Sequence, residues 1–118
     1  MSDALKTFFD AWATGDGTAI RSAIAPAFTY ADPRSREGIT EIDALIAYVA
    51  AFSANAPGWT ATVVKSDTIL DTTRATIRFG GTGPDGSAMV QLGQYVVQFN
   101  DAGQLTRLIG FVGTGDPE

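Results

Sequence analysis

The strongest constraint on how this chain can fold is a change of hydrophobic period near Trp59. Before that residue the apolar positions repeat at helical spacing. In DALKTFFDAWATGDG, residues Leu5, Phe8, Phe9 and Trp12 fall at i, i+3, i+4 and i+7, one stripe on a helix. Ser2 or Asp3 is placed to cap its start, and Gly15 and Gly17 punctuate its end. Asp16 or Thr18 then caps a short second helix, with Ile20 and Ile24 facing inward and Pro26 stopping it. The stretch FTYAD, 28 to 32, reads as a strand, and PRSREG as a loop. A third helix turns Ile42, Leu45, Ile46, Val49 and Phe52 inward. Thr40 and Asp43 have capping-box spacing before it, and NAPG closes it.

After Trp59 the segments TATVVKSDTIL, RATIRFGGTG, SAMVQLGQYVVQF and QLTRLIGFVG are rich in β-branched and aromatic residues. The short turn signals LDTT, PDG and NDAG separate them, and connections this short make antiparallel hairpins. Helices first and strands later give an α+β class, with helices on one face of a curved, mostly antiparallel sheet. A single domain over 1–118 is expected, with loss of order at Thr114 to Glu118. ATVV, ATIRF and YVVQF carry apolar residues at both parities. Both faces of parts of the sheet are then expected to be covered, which suits a homodimer through the outer face.

The chemistry is narrowed by what is missing. There is no cysteine and no histidine, so a thiolate, a Ser-His-Asp triad and the usual neutral-pH base are all excluded. Acid–base work must fall to a carboxylate, a tyrosine or a lysine. Asp67, Asp71, Asp85 and Asp101 sit in turns or at exposed strand positions and form no metal constellation. GGTG and GTGD lack the context and the lysine of a phosphate-binding loop. A net charge of −5 disfavours nucleic acid and anionic membranes as partners. The N-terminus lacks a secretory apolar region and no segment is long and apolar enough to span a bilayer, which suggests a cytoplasmic protein.

Within FTYADP, strand alternation puts Phe28, Tyr30 and Asp32 on one face. Phe8 and Trp12 of the first helix are placed to cover that face. Apolar walls strip water from a carboxylate and make it a stronger base. Asp32 is therefore the candidate general acid–base, the alternative being a turn aspartate before Pro33. Tyr30 and Tyr95 are candidate donors to a developing oxyanion, or core tyrosines bonded to backbone. Gln91 shares strand parity with Gly93 and Tyr95, so it faces either the same cavity or solvent. Trp12 and Trp59 are candidate stacking walls, and Trp12 has an indole N–H to offer a ligand. Phe111 and Gly110 on the last strand are further candidates for the pocket, the glycine leaving room. Arg34 and Arg36 read as solvated loop charges.

In order and spacing, AWATGD at 11–16, TYADP at 29–33, GITEIDALIAYVAAF at 38–52, PGW at 57–59 and FNDAGQLTRLIGFVG at 99–113 carry a resemblance. The chain resembles the SnoaL-like polyketide cyclase and ketosteroid isomerase branch of the nuclear transport factor 2-like superfamily. That resemblance implies a cystatin-like cone of helices closed by a bent sheet around an apolar pocket. It implies an isomerase or cyclase acting on a small apolar carbonyl compound, with Asp32 in the position of the isomerase base and no metal or organic cofactor. Ketosteroid isomerase pairs its aspartate base with an oxyanion hole of a tyrosine and a protonated aspartate. Those two positions fall here on Phe8, which has no donor, and near Tyr95. The other reading of the same fold is a non-catalytic small-molecule-binding or dimerisation module.

Overall fold

The computed structural model describes residues 4–113. The capping expectation at Ser2 or Asp3 and the expected loss of order at 114–118 lie outside the described residues. Helix α1 (Ala4–Thr14) buries Leu5, Phe8, Phe9, Ala11 and Trp12, the stripe expected from the spacing. It ends where Gly15 turns left-handed and donates its N–H to the Ala11 carbonyl at 2.7 Å. Asp16 caps α2 (Gly17–Ala23), its Oδ1 accepting the N–H groups of Thr18 at 3.0 Å and Ala19 at 3.2 Å. Gly17 thus opens the second helix instead of ending the first.

Helix α2 stops three residues before Pro26. Ile24 is already extended and begins β1 (Ile24–Asp32), where it faces Leu105 and is buried from a strand, not a helix. Pro26 sits inside β1, in the stretch between Ile24 and Thr29 where the pairing register shifts and a missing N–H is tolerated. The expected loop 33–38 is a tight turn followed by β2 (Ser35–Ile39), which pairs back on β1. This edge strand is short and charged, so it carries no apolar alternation by which a strand is recognised.

Helix α3 (Ile42–Asn55) buries Leu45 and Val49, with Ile42, Ile46 and Phe52 half-buried beside them. The expected capping box is not formed. The N-cap is Glu41, one residue later, and no side chain caps the helix. Asp43 instead pairs across to Arg21 on α2.

Four long strands follow: β3 (Thr60–Ile69), β4 (Thr72–Thr82), β5 (Ala88–Phe99) and β6 (Leu105–Val112). They form antiparallel hairpins at the three expected turns. The six-stranded sheet has the order β2-β1-β6-β5-β4-β3, and only the β1–β6 contact is parallel. Ala75, Ile77, Tyr95, Val97 and Leu108 face the helices and are buried. On the other parity Val90, Leu92, Val96 and Phe111 are exposed. Among the described residues no helix is long and apolar enough to cross a membrane.

The two aspartates on α2 and α3 should separate in a stability assay. Asp16→Ala removes the cap and is expected to cost about 1 kcal/mol. Asp43→Ala removes only an exposed pair, worth less than about 1 kcal/mol. Urea unfolding of both variants checks this, and an equal loss would contradict the assignment of the cap.

Candidate functional site

Alternation along β1 buries Phe28 and Tyr30 and brings Asp32 to the strand end on the same face. Asp32 closes the turn that one reading of its sequence context allows, and it also joins a buried hydrogen-bond network. Its Oδ1 accepts the backbone N–H of Arg34 at 2.9 Å, which closes the turn before β2. Its Oδ2 faces inward and accepts two phenols, Tyr30 at 2.6 Å and Tyr48 at 2.7 Å. Tyr30 also lies 2.7 Å from the hydroxyl of Tyr95 on β5. The chain has three tyrosines, and all three meet here.

Chemistry orders the protons in this chain of oxygens. An ionised carboxylate only accepts, and a phenol has one proton to give. Tyr30 gives its proton to Asp32, so the Tyr30–Tyr95 bond has Tyr95 as donor. Burial pushes all three phenols above their ordinary value near 10. For Tyr30 the neighbouring Tyr95 and the charge of Asp32 add to burial. For Tyr48 the hydrogen bond to Asp32 and its charge add to burial. Tyr95 is raised by burial while its bond to Tyr30 acts the other way. The phenols are therefore protonated, and act as donors, throughout the neutral range.

A cavity of about 430 Å³ lies against this network, with Asp32, Tyr48 and Tyr95 in its wall. Of the candidates from the sequence, Trp12, Trp59, Gln91 and Tyr95 line it with Asp32. Gln91 shares its face with Tyr95 through their partners Phe79 and Ala75, and it stands exposed at the mouth. Phe8 and Tyr30 are not in the wall. Both have 0 % exposure and sit one layer behind it. Phe111 reaches the cavity edge, but it pairs with Gln94 on the opposite face and is 58 % exposed. Arg34, read as a solvated loop charge, stands at the rim.

Sequence reasoning missed Tyr48, Phe52 as a wall residue, and Phe79. Tyr48 carried a usable signal. It stands three residues after Leu45 and four before Phe52, on the inward stripe of α3. Phe79 shares its parity on β4 with Ile77 and Ala75.

Aromatic rings hold the wall in shape. The Trp12 ring lies within 6.4 Å, centre to centre, of Phe8, Phe9, Tyr30, Tyr48, Phe52 and Phe79. Its Nε1 is buried and has no partner among the described residues. Trp59 is tied down by its own N–H, which donates to the Thr82 carbonyl at 3.1 Å. Two glycines make room for these rings. A Cβ on Gly81 would collide with the Trp59 ring, and one on Gly110 would lie 2.6 Å from Tyr95 Cζ. Among the described residues no cluster of acidic side chains comes together that could hold a metal ion.

Raised phenol pKa values have a consequence at alkaline pH. Above about 10 the unfolded chain loses phenol protons that the folded chain keeps, so stability falls with rising pH there and is unaffected below it. Tyrosinate absorbance is expected to stay flat past pH 10 and then rise together with loss of circular dichroism. In Asp32→Asn the rise should begin at lower pH, because one cause of the shift is gone. Ionisation of all three tyrosines near pH 10 in the folded protein would contradict the network.

Solved structures share this architecture. A proposed isomerase of the SnoaL-like family from Agrobacterium tumefaciens superposes with a TM-score of 0.76 at 23 % identity, over 94 % of this chain and 95 % of the other. A proposed SnoaL-like polyketide cyclase from Jannaschia sp. CCS1 gives 0.76 at 17 % identity, over 93 % and 83 %. A protein of ketosteroid isomerase-like fold from Catenulispora acidiphila, solved with trimethylamine, gives 0.77 at 15 % identity, over 92 % and 83 %. At these identities the likeness is one of fold. No curated protein sequence matches the chain. The SnoaL-like domain family matches residues 5–108, nearly the whole chain, and the protein belongs to that family.

Proposed function

We propose that this protein is a small isomerase or cyclase that moves a proton on an apolar carbonyl compound, with Asp32 as the general acid–base. The observation that carries the reading is the division of labour between the two oxygens of Asp32. Oδ2 is saturated by two phenols, while Oδ1 accepts only the Arg34 N–H and keeps a lone pair. A carboxylate held this way needs no reorganisation to take a proton. In the step, Oδ1 takes a proton from the carbon beside the carbonyl. The C–H pair becomes the C=C bond and the carbonyl π pair moves to oxygen. Returning the proton to another carbon completes an isomerisation, and attack of the enolate carbon on a second carbonyl completes a cyclisation.

The cavity of about 430 Å³ fits a modest apolar substrate, and its aromatic wall suits a flat one. The Catenulispora protein's complex with trimethylamine supports small-molecule occupancy within this fold. The reading includes a cytoplasmic location and needs no metal or organic cofactor, since proton transfer and enolate stabilisation suffice. The direct test is exchange of α-protons with deuterium, followed by NMR, across a panel of cyclic and β-keto ketones. Asp32→Asn is expected to slow exchange of an accepted ketone by about 10²- to 10⁴-fold. Exchange unchanged in that variant would remove Asp32 from the chemistry.

The second reading, a binding or dimerisation module, is favoured by one observation. Val90, Leu92, Val96 and Phe111 are exposed together on the sheet face away from the helices. We place a homodimer contact there. Sedimentation equilibrium should give a dimer for the native chain and a monomer for Leu92→Glu. A native monomer at high concentration would refute it.

A further inference from the structure

Proton abstraction leaves a negative oxygen in the cavity, and something must donate to it. Two of the three donor groups in the network are committed. Tyr30 and Tyr48 both give their protons to Asp32. The indole N–H of Trp12 has no partner among the described residues, but the atom is buried from solvent. Tyr95 is different. It lines the cavity, and its proton goes to another phenol, not to a charge.

The connection between Tyr95 and Asp32 runs behind the wall. Tyr30, with 0 % exposure, bridges them at 2.7 Å and 2.6 Å without touching the cavity. Gly110 is built into this arrangement, because any side chain there would push the Tyr95 ring out of reach. The direction of donation along the bridge is set by the charge at its Asp32 end, since a proton donor turns towards the stronger acceptor.

We propose that Tyr95 is a catalytic hydrogen-bond donor whose polarity is switched by Asp32 through Tyr30. With Asp32 ionised, the chain runs Tyr95 to Tyr30 to Asp32, and Tyr95 presents only an oxygen lone pair to the cavity. When Asp32 takes the substrate proton on Oδ1, its charge disappears and reappears on the substrate oxygen. The Tyr95 hydroxyl then turns from Tyr30 to that oxygen. No bond breaks beyond the substrate C–H and carbonyl π bonds, and the Tyr95 proton stays on Tyr95. The donor is thus available only while the enolate exists, which favours the transition state over bound ketone. This inference rests on the assignment of Asp32 as the base, and it adds Tyr95 as donor and Tyr30 as positioning residue.

The probe is 4-nitrophenol, whose phenolate mimics an enolate oxygen and absorbs at visible wavelengths. Asp32→Asn mimics the neutral acid. Phenolate affinity is expected to rise by about tenfold or more in Asp32→Asn over the native chain, the worth of one charge-assisted hydrogen bond. In a Tyr30→Phe background the same Asp32→Asn change should give a much smaller rise, because Tyr95 then has no oxygen to turn from. In a Tyr95→Phe background only the smaller part that comes from removing the Asp32 charge should remain, and this variant decides the matter if Tyr30→Phe fails to fold. A full rise in either background overturns the switch while leaving Asp32 as the charge in the cavity. No rise in the native background overturns both the switch and the role of Asp32.

Discussion

The fold and its cavity meet at one carboxylate oxygen. Oδ2 of Asp32 accepts a phenol from β1 and a phenol from α3, and through Tyr30 it is joined to a third on β5. A partly buried carboxylate with no partners would cost more than its neighbours could offset. Supplying those partners forces α3 to lie where Tyr48 can reach, and β5 to lie where Tyr95 can. The same bonds therefore hold the helix layer to the sheet and aim the carboxylate at the cavity.

Aromatic packing does the rest of the positioning. Trp12 is ringed by six aromatic side chains drawn from α1, β1, α3 and β4. Large flat rings meeting edge to face leave few alternative packings, so the wall keeps its shape. That rigidity matters for a site with no metal cluster among its described residues and no histidine in its chain. The protonation of its three phenols is held by burial and by their neighbours. Two glycines, Gly81 and Gly110, show the same economy, since each position is left empty so that a ring can cross the strand.

Much of this was legible in the residues. The stripe of α1, the turns of the three hairpins and the parity of Phe28, Tyr30 and Asp32 all follow from local geometry. The errors have local causes too. β2 carries no strand signal in the sequence, because Arg36 and Glu37 on an edge strand face water and break the apolar alternation. Thr40 and Asp43 have capping-box spacing, but the helix starts one residue later, a shift that spacing alone does not detect. Ile24 is buried as its spacing predicts, but from β1 and not from α2, since burial does not reveal which element provides it.

The sequence by itself determined the class of fold, the face of β1 on which Asp32 sits, and the restriction of acid–base chemistry to carboxylate, phenol or amine. Those are properties of periods of 3.6 and 2 and of composition, and they need no knowledge of distant contacts. Only the tertiary structure decided that Phe8 and Tyr30 lie behind the wall, and that Phe111 turns to the outer face. It alone brought Tyr48, 16 residues on, and Tyr95, 65 residues beyond Tyr30, to one carboxylate group. The physical reason is that a hydrogen bond depends on tenths of an ångström between elements whose relative placement is set by the packing of the whole core. No local pattern encodes a distance of that kind.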